Sequence, residues 1–356
     1  MTQSFELIKI IGSPFVKGHQ EVSHDVLENI YGKAFADRVA LLYLTIHRTP
    51  EWSQTLEEKF QALNERREKT LNVVATLGCA LNEFGVDDYA IFKSLKPYPA
   101  TPNDTDVINF GDKKKFQAVL SHLYSEGYLF HEWAPMQTTL IHPDGKGKTG
   151  KGKKGGTYYI DMYSDISTDY FLYIDKRSLQ AYVETREING QKIQNVQKEV
   201  ELAIILFHNV FPERTFQLEH FYMPLYHLKE NDFDIDIMIE FAEKQKLARA
   251  LSTNLTLVEY IHKQLFGIVP EAVGRLLSHW GRNHYELERF KKTGMETPYM
   301  FSPKTFWLTF FDKIHDPAAF KSLMLQGGHM LNPIFFIDVM RSLKNRFSER
   351  GTYHLE

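Results

Sequence analysis

One cysteine, Cys79, is present in 356 residues. That excludes an intrachain disulfide and a zinc site built on several thiolates. A lone thiol leads to the expectation of a reducing, cytoplasmic setting. No apolar run approaches the roughly 20 residues that a membrane helix needs. The start, MTQSFELIKIIG, lacks the basic residues and apolar stretch of a secretory signal, so no membrane partner is expected. Charge of one sign is also scarce: the formal net charge is -3, so any basic site must be local. The sequence holds no Gly-x-Ser-x-Gly elbow, and none of its 15 histidines falls in a His-Glu-x-x-His pattern. A nucleophile-elbow hydrolase and a zinc-protease helix are thereby set aside. Aromatic residues, in contrast, are plentiful at 13%, with 26 Phe and 18 Tyr, which predicts well-filled cores.

The chain reads as three regions. Residues 1–85 carry apolar positions at helical spacing in VLENIYGKAFADRVALLYLTIH and LEEKFQALNERREKTLNVVATLGCALNEF. The first of these runs is expected to be interrupted only at Thr49-Pro50. From residue 86 to 190 the period shortens. AIFKSL, TDVINF, YLFHEW, QTTLIHP and TYYIDMYSDI read as strands, with a helix expected from Lys113 to Glu126 and stopped by Gly127. Residues 191–356 return to helical spacing, in VQKEVELAIILFHNVF, FQLEHFYMPLYHL, IMIEFAEKQKLARALS, LTLVEYIHKQLFG and EAVGRLLSHW. The expected fold is α+β: a small mixed β-sheet core flanked by N-terminal helices and a C-terminal helical domain.

The chemistry concentrates at Asn103-Asp104-Thr105-Asp106-Val107-Ile108. Residues two apart on a strand share a face, so Asp104 and Asp106 would stand side by side after a turn. Two ionised carboxylates that close repel each other, and a divalent cation relieves the repulsion. Magnesium suits such a site because it takes one or two carboxylates and completes its shell with water and substrate phosphates. Asp161, alone among β-prone residues in Tyr158-Tyr159-Ile160-Asp161-Met162-Tyr163, is the expected third ligand, with Asp165 as the alternative if the register differs.

The order strand, Lys93-Ser94, turn, Asp104-Thr105-Asp106, helix, then a later strand bearing Asp161, resembles the nucleotidyltransferase superfamily of the polymerase beta-like fold. In particular, the chain is similar to the uncharacterised nucleotidyltransferase-like branch with a helical C-terminal part, to which ELAIILFHNVF with His208 corresponds. The resemblance covers residues 80–270. It implies that Asp104, Asp106 and Asp161 are catalytic and hold Mg2+, in a site able to take two metals. It also implies that Lys93 and Ser94 contact the phosphates of a nucleoside triphosphate. Two positions depart from the pattern: Lys93 stands where that family has glycine, and Thr101-Pro102-Asn103 lacks the arginine often found before the acidic pair.

Two functional expectations follow. In one, the chain is a metal-dependent nucleotidyltransferase that moves a nucleoside monophosphate from an NTP to an RNA, a protein or a small molecule; a toxin-like role falls under the same chemistry. In the other, it is a catalytically degenerate relative that binds nucleotide or RNA. The lysine- and glycine-rich loop 145–156, with Lys146, Lys148, Lys151, Lys153 and Lys154, leads into the Asp161 strand and is a possible phosphate contact. It is no P-loop, because Gly152 follows Lys151 where Ser or Thr is needed and no helix opens there. Asp232, Asp234 and Asp236 are expected to start a helix, His208 to be a core histidine, Trp280–Tyr285 to close a helix, and Gly327–Leu331 to form a turn.

Overall fold

The structure is a computed structural model in which residues 2–16, 22–49, 51–86, 88–102, 104–134, 136–143, 158–168 and 171–329 are described, with side chains to residue 325. The loop 145–156, Asp169 and residues 330–356 lie outside the described residues.

Four helices come first: α1 (Gln3–Ile11), α2 (His24–Ala36), α3 (Ala40–His47) and α4 (Gln54–Glu83). The expected single run before Thr49 is in fact broken between Ala36 and Ala40. Arg38 takes a left-handed φ of 59° there. Buried Asp37 accepts hydrogen bonds from Thr297 Oγ1 at 3.0 Å and the Leu218 backbone N–H at 3.5 Å, and pairs with Lys33 at 3.2 Å. Apolar spacing alone does not register such a break, because it is set by contacts made 181 and 260 residues away. The 30-residue α4 is uninterrupted and begins at Ser53, whose side chain accepts from the Leu56 N–H.

The sheet segment contains β1 (Tyr89–Phe92), β2 (Asp104–Asn109), α5 (Lys113–Ser125), β3 (Leu129–Ala134), β4 (Gln137–Ile141) and β5 (Tyr159–Tyr163). It continues through β6 (Ile166–Thr168), β7 (Phe171–Ile174), α6 (Lys176–Leu179), β8 (Val183–Ile188) and β9 (Gln191–Val196). Seven strands form one mixed sheet in the order β3-β4-β5-β2-β1-β9-β8; β2 runs parallel to β5, and β1 parallel to β9. The β8–β9 hairpin turns on Asn189-Gly190, both at positive φ (48° and 76°), the sequence such two-residue turns favour.

Helices return with α7 (Lys198–Val210), then β10 (Thr215–Phe216), α8 (Leu218–His227), α9 (Ile235–Lys244), α10 (Ala248–Phe266), α11 (Glu271–Trp280), α12 (His284–Lys292), β11 (Tyr299–Met300), α13 (Pro303–Lys313) and α14 (Pro317–His329). The run IMIEFAEKQKLARALS divides: Lys246 at φ 58° ends α9, and Ala248 onward belongs to the long α10. Gly327 to His329 are helical, continuing α14, and not a turn. Asp234 does start α9, accepting from the Asp236 and Ile237 N–H groups. Asn283 caps α12 by accepting from the Glu286 N–H.

Alternation along β1 and β2 gives the sheet two coated faces. Tyr89, Ile91 and Val107 pack with Val74 and Leu77 of α4 and Leu120 of α5. Ala90, Phe92 and Ile108 join the larger core with Ala203, Phe207 and the other helices. Asp104 and Asp106 share the phase of Ile108, so they look toward the helical body.

Candidate active site

In the parallel β2–β5 pair, Asp106 lies opposite Asp161, and Asp104 opposite Tyr159. Asp104, Asp106 and Asp161 all line one cavity of about 480 Å³. Its far wall comes from the helical body: His208 and Asn209 of α7, Glu213, Glu219 and His220 near α8, and Arg38 from the α2–α3 break. The sheet thus supplies the acids, and the helices supply a cover of mixed charge.

The acids are electrostatically unbalanced. Burial pushes the Asp104 carboxyl up to about 7, and the neighbouring Asp106 and Asp161 add to the rise. Asp161 is also raised, by burial and by Asp106, although a 2.6 Å hydrogen bond from Thr139 Oγ1 holds one of its oxygens. Tyr163, two residues beyond Asp161 on β5, is pushed well up by burial and then by Asp106 and Asp161. Such a cluster gains from a cation brought among its members.

One cation is already inside. Lys93 Nζ lies 3.5 Å from Asp106 Oδ1 and 5.1 Å from the centre of the Phe92 ring. Burial opposes its charge, yet Asp106 and its neighbours raise its proton affinity above the usual lysine value. The Lys93 backbone has φ 61°, the left-handed region that glycine enters freely and lysine at a cost of about 1–2 kcal/mol. The chain therefore keeps a glycine-like turn at this position while carrying an ammonium group into the acidic cluster.

Ser94 sits apart from this cavity. Its hydroxyl donates to the Phe92 carbonyl at 3.1 Å and accepts from the Asp106 N–H at 3.0 Å, so it stitches the end of β1 to β2. It lines a second cavity on the other side of the turn. Asp165, the alternative third acid, faces Lys176 at 3.9 Å and is absent from the lining of the first cavity.

Several lining residues were not legible as site residues. His208 accepts from or donates to the Tyr173 hydroxyl at 3.0 Å, and its Nε2 is 3.6 Å from Glu213 Oε1. Burial, then the charge of Lys93, lower its proton affinity. His220 is pushed down to about 4, first by burial. Lys96 bonds to Glu219 at 2.9 Å, and Arg38 lies 3.6 Å from the same carboxylate, tying the turn after β1 to α8. Of these, His208 reads in the sequence as a core histidine, and the fold brings all of them to the cavity.

Among the described residues, no three His, Cys, Asp or Glu side chains form a ready-made metal-binding cluster. The donor chemistry nonetheless fits magnesium, which needs only one or two carboxylates when phosphate and water complete the shell.

No family model and no curated protein matches the chain. A solved structure described as an antigenic nucleotidyltransferase-like protein from Paracoccidioides brasiliensis aligns with 13% identity and a TM-score of 0.29, covering 67% of this chain and 97% of that one. A likeness that faint carries no argument about activity. No helix of the described residues is long and apolar enough to cross a membrane.

Proposed function

We propose that the acidic cavity transfers a nucleoside monophosphate from a nucleoside triphosphate to an acceptor hydroxyl. The observation that carries this reading is the register: Asp106 and Asp161 stand opposite one another on parallel strands, with Asp104 two residues earlier on the same face of β2. In this reading Asp104, Asp106 and Asp161 hold Mg2+, which supplies charge neutralisation at the phosphates when bound. Lys93 adds a fixed positive charge beside Asp106 and reaches toward the triphosphate. His208, held by Tyr173 at the edge of the cavity, is placed to accept a proton from the acceptor hydroxyl. Ser94 supports the site by fixing the backbone of Asp106.

The second reading is a nucleotide-binding protein without turnover. The Lys93–Asp106 contact favours it, since an internal ammonium lessens the need for a metal. One experiment separates the two: incubation with each labelled nucleoside triphosphate and magnesium, next to the Asp104→Ala, Asp106→Ala double variant. Label transfer or diphosphate release that disappears in the variant supports the enzyme. Nucleotide binding with no release in either protein supports the binding protein, and equal release from both excludes these aspartates.

A further inference from the structure

We propose that the second cavity, behind the 93–102 turn, is a phosphate-binding site. It encloses about 270 Å³ and is lined by Arg67 of α4, Lys96 of the turn, Arg186 of β8 and Lys198 of α7, against one carboxylate, Glu230. The cationic lining converges from four parts of the chain, which a merely solvated charged face would not require.

A second, independent observation points to a ligand. His227 is 3% exposed and lines this cavity, yet neither of its ring nitrogens has a hydrogen-bond partner. The hydroxyl of Tyr98, 5% exposed and in the same wall, is also without one. Leaving such a group dry and unpaired costs about 1–3 kcal/mol, so two in one cavity mark a place prepared for an acceptor. Phosphate offers oxygens to both, and its charge suits the surrounding arginines and lysines. Burial, followed by the charges of Arg186, Lys96 and Lys198, pushes the His227 proton affinity down to about 3. A neutral imidazole in a positive field still donates one N–H to an anion. Each of these cations also has a carboxylate partner: Arg186 Nε bonds to Glu184 at 2.7 Å, Lys96 Nζ to Glu219 at 2.9 Å, Lys198 Nζ to Glu230 at 2.9 Å and to Asp232, and Arg67 lies 3.3 Å from Glu68. Arg186 keeps its terminal N–H groups for a ligand, since guanidinium carries five donors.

Lys96, Ala100 and Pro102 line both cavities, so the site adjoins the acidic one across a single turn. The phosphate has two sources: the tail of the nucleoside triphosphate, or a phosphorylated acceptor. Naming these sources rests on the transferase reading; the site itself does not.

The test is calorimetric titration of the full chain with pyrophosphate, in EDTA and without magnesium. Saturable one-to-one binding is expected, weakened about tenfold by Arg186→Gln and by Lys198→Gln, each losing a charge-assisted contact. Tyr98→Phe, which deletes only an unpartnered oxygen and keeps the fold, is expected to weaken binding about threefold. The His227 ring nitrogens should shift in NMR spectra on titration. Repeating the series with a nucleoside triphosphate identifies the source. Equal weakening assigns the site to the triphosphate tail, and unchanged triphosphate affinity assigns it to a phosphorylated acceptor. No saturable pyrophosphate binding, or binding untouched by all three substitutions, overturns the proposal. Neither result depends on turnover, so a failed transferase assay leaves this one readable.

Discussion

The two cavities on either side of the 93–102 turn share Lys96 but differ in charge: five carboxylates and four cations line the first, four cations and one carboxylate the second. In the first, three aspartates line one wall and Asp104 is pushed up to about 7. In the second, four cations meet one carboxylate, and a neutral histidine is left without a hydrogen bond. A pair of neighbouring central strands can do the first because side chains alternate along each strand, so Asp104, Asp106 and the opposed Asp161 share a face. The second needs α4, β8, α7 and α8 to converge, and so depends on the whole tertiary fold. Local geometry gathers like charges on one side of the turn; long-range packing gathers them on the other.

Breaking the acidic side should have the largest effect. If turnover occurs, Asp104→Ala with Asp106→Ala is expected to reduce diphosphate release on the order of 10³-fold or more, measured at saturating nucleotide. Lys93→Met tests the internal ammonium. Magnesium affinity should rise about tenfold, because Asp106 loses its resident counter-charge, while KM for the nucleotide increases. Unchanged magnesium affinity would remove Lys93 from the account of the acidic cavity.

Ser94→Ala probes the wall between the cavities. It strips the Asp106 N–H of its acceptor and should cost about 1–3 kcal/mol in denaturant unfolding, with KM for the nucleotide little changed. A large KM effect without loss of stability would restore Ser94 as a phosphate contact.

A buried carboxylate adds a pH effect of similar size. Glu201 is 1% exposed, and burial pushes its carboxyl up to about 7 despite the opposing charges of Arg186 and Lys96. The folded value lies above the unfolded one, so its stabilisation is complete below about pH 4.5 and is lost as pH rises through about 7. Glu201→Gln should therefore flatten the decline in unfolding free energy between those values, by about 3 kcal/mol in total, read from denaturant unfolding at each pH. A variant curve parallel to that of the parent protein would contradict this.

Much of this was legible in advance where the physics is local. The alternation TDVINF and YYIDMY placed Asp104, Asp106 and Asp161 on strands, and the predicted strands β1 to β5 are present. The Asn189-Gly190 hairpin carries its signal in the dipeptide and not in apolar alternation, since β8 and β9 are largely polar. The break at Asp37–Val39 and the division of α9 from α10 were not legible, because long-range hydrogen bonds and single left-handed residues decide them. His208 read as core because it lies among Leu206, Phe207 and Val210, and only the end of α7 meeting the β2 and β5 termini turns it into a wall of the cavity. The second cavity left no trace in the sequence, as its cations are spread from residue 67 to residue 198.

The central claim, that Asp104, Asp106 and Asp161 act as one cation site, is tested most directly by manganese titration in the presence of a nucleoside triphosphate. Binding would be followed by electron paramagnetic resonance for the parent protein and for Asp161→Asn alone. The account predicts that this single change on β5 weakens manganese binding at least about tenfold, although Asp104 and Asp106 on β2 are untouched. Equal affinity in the two proteins would show that Asp161 does not belong to the site, and would contradict the account.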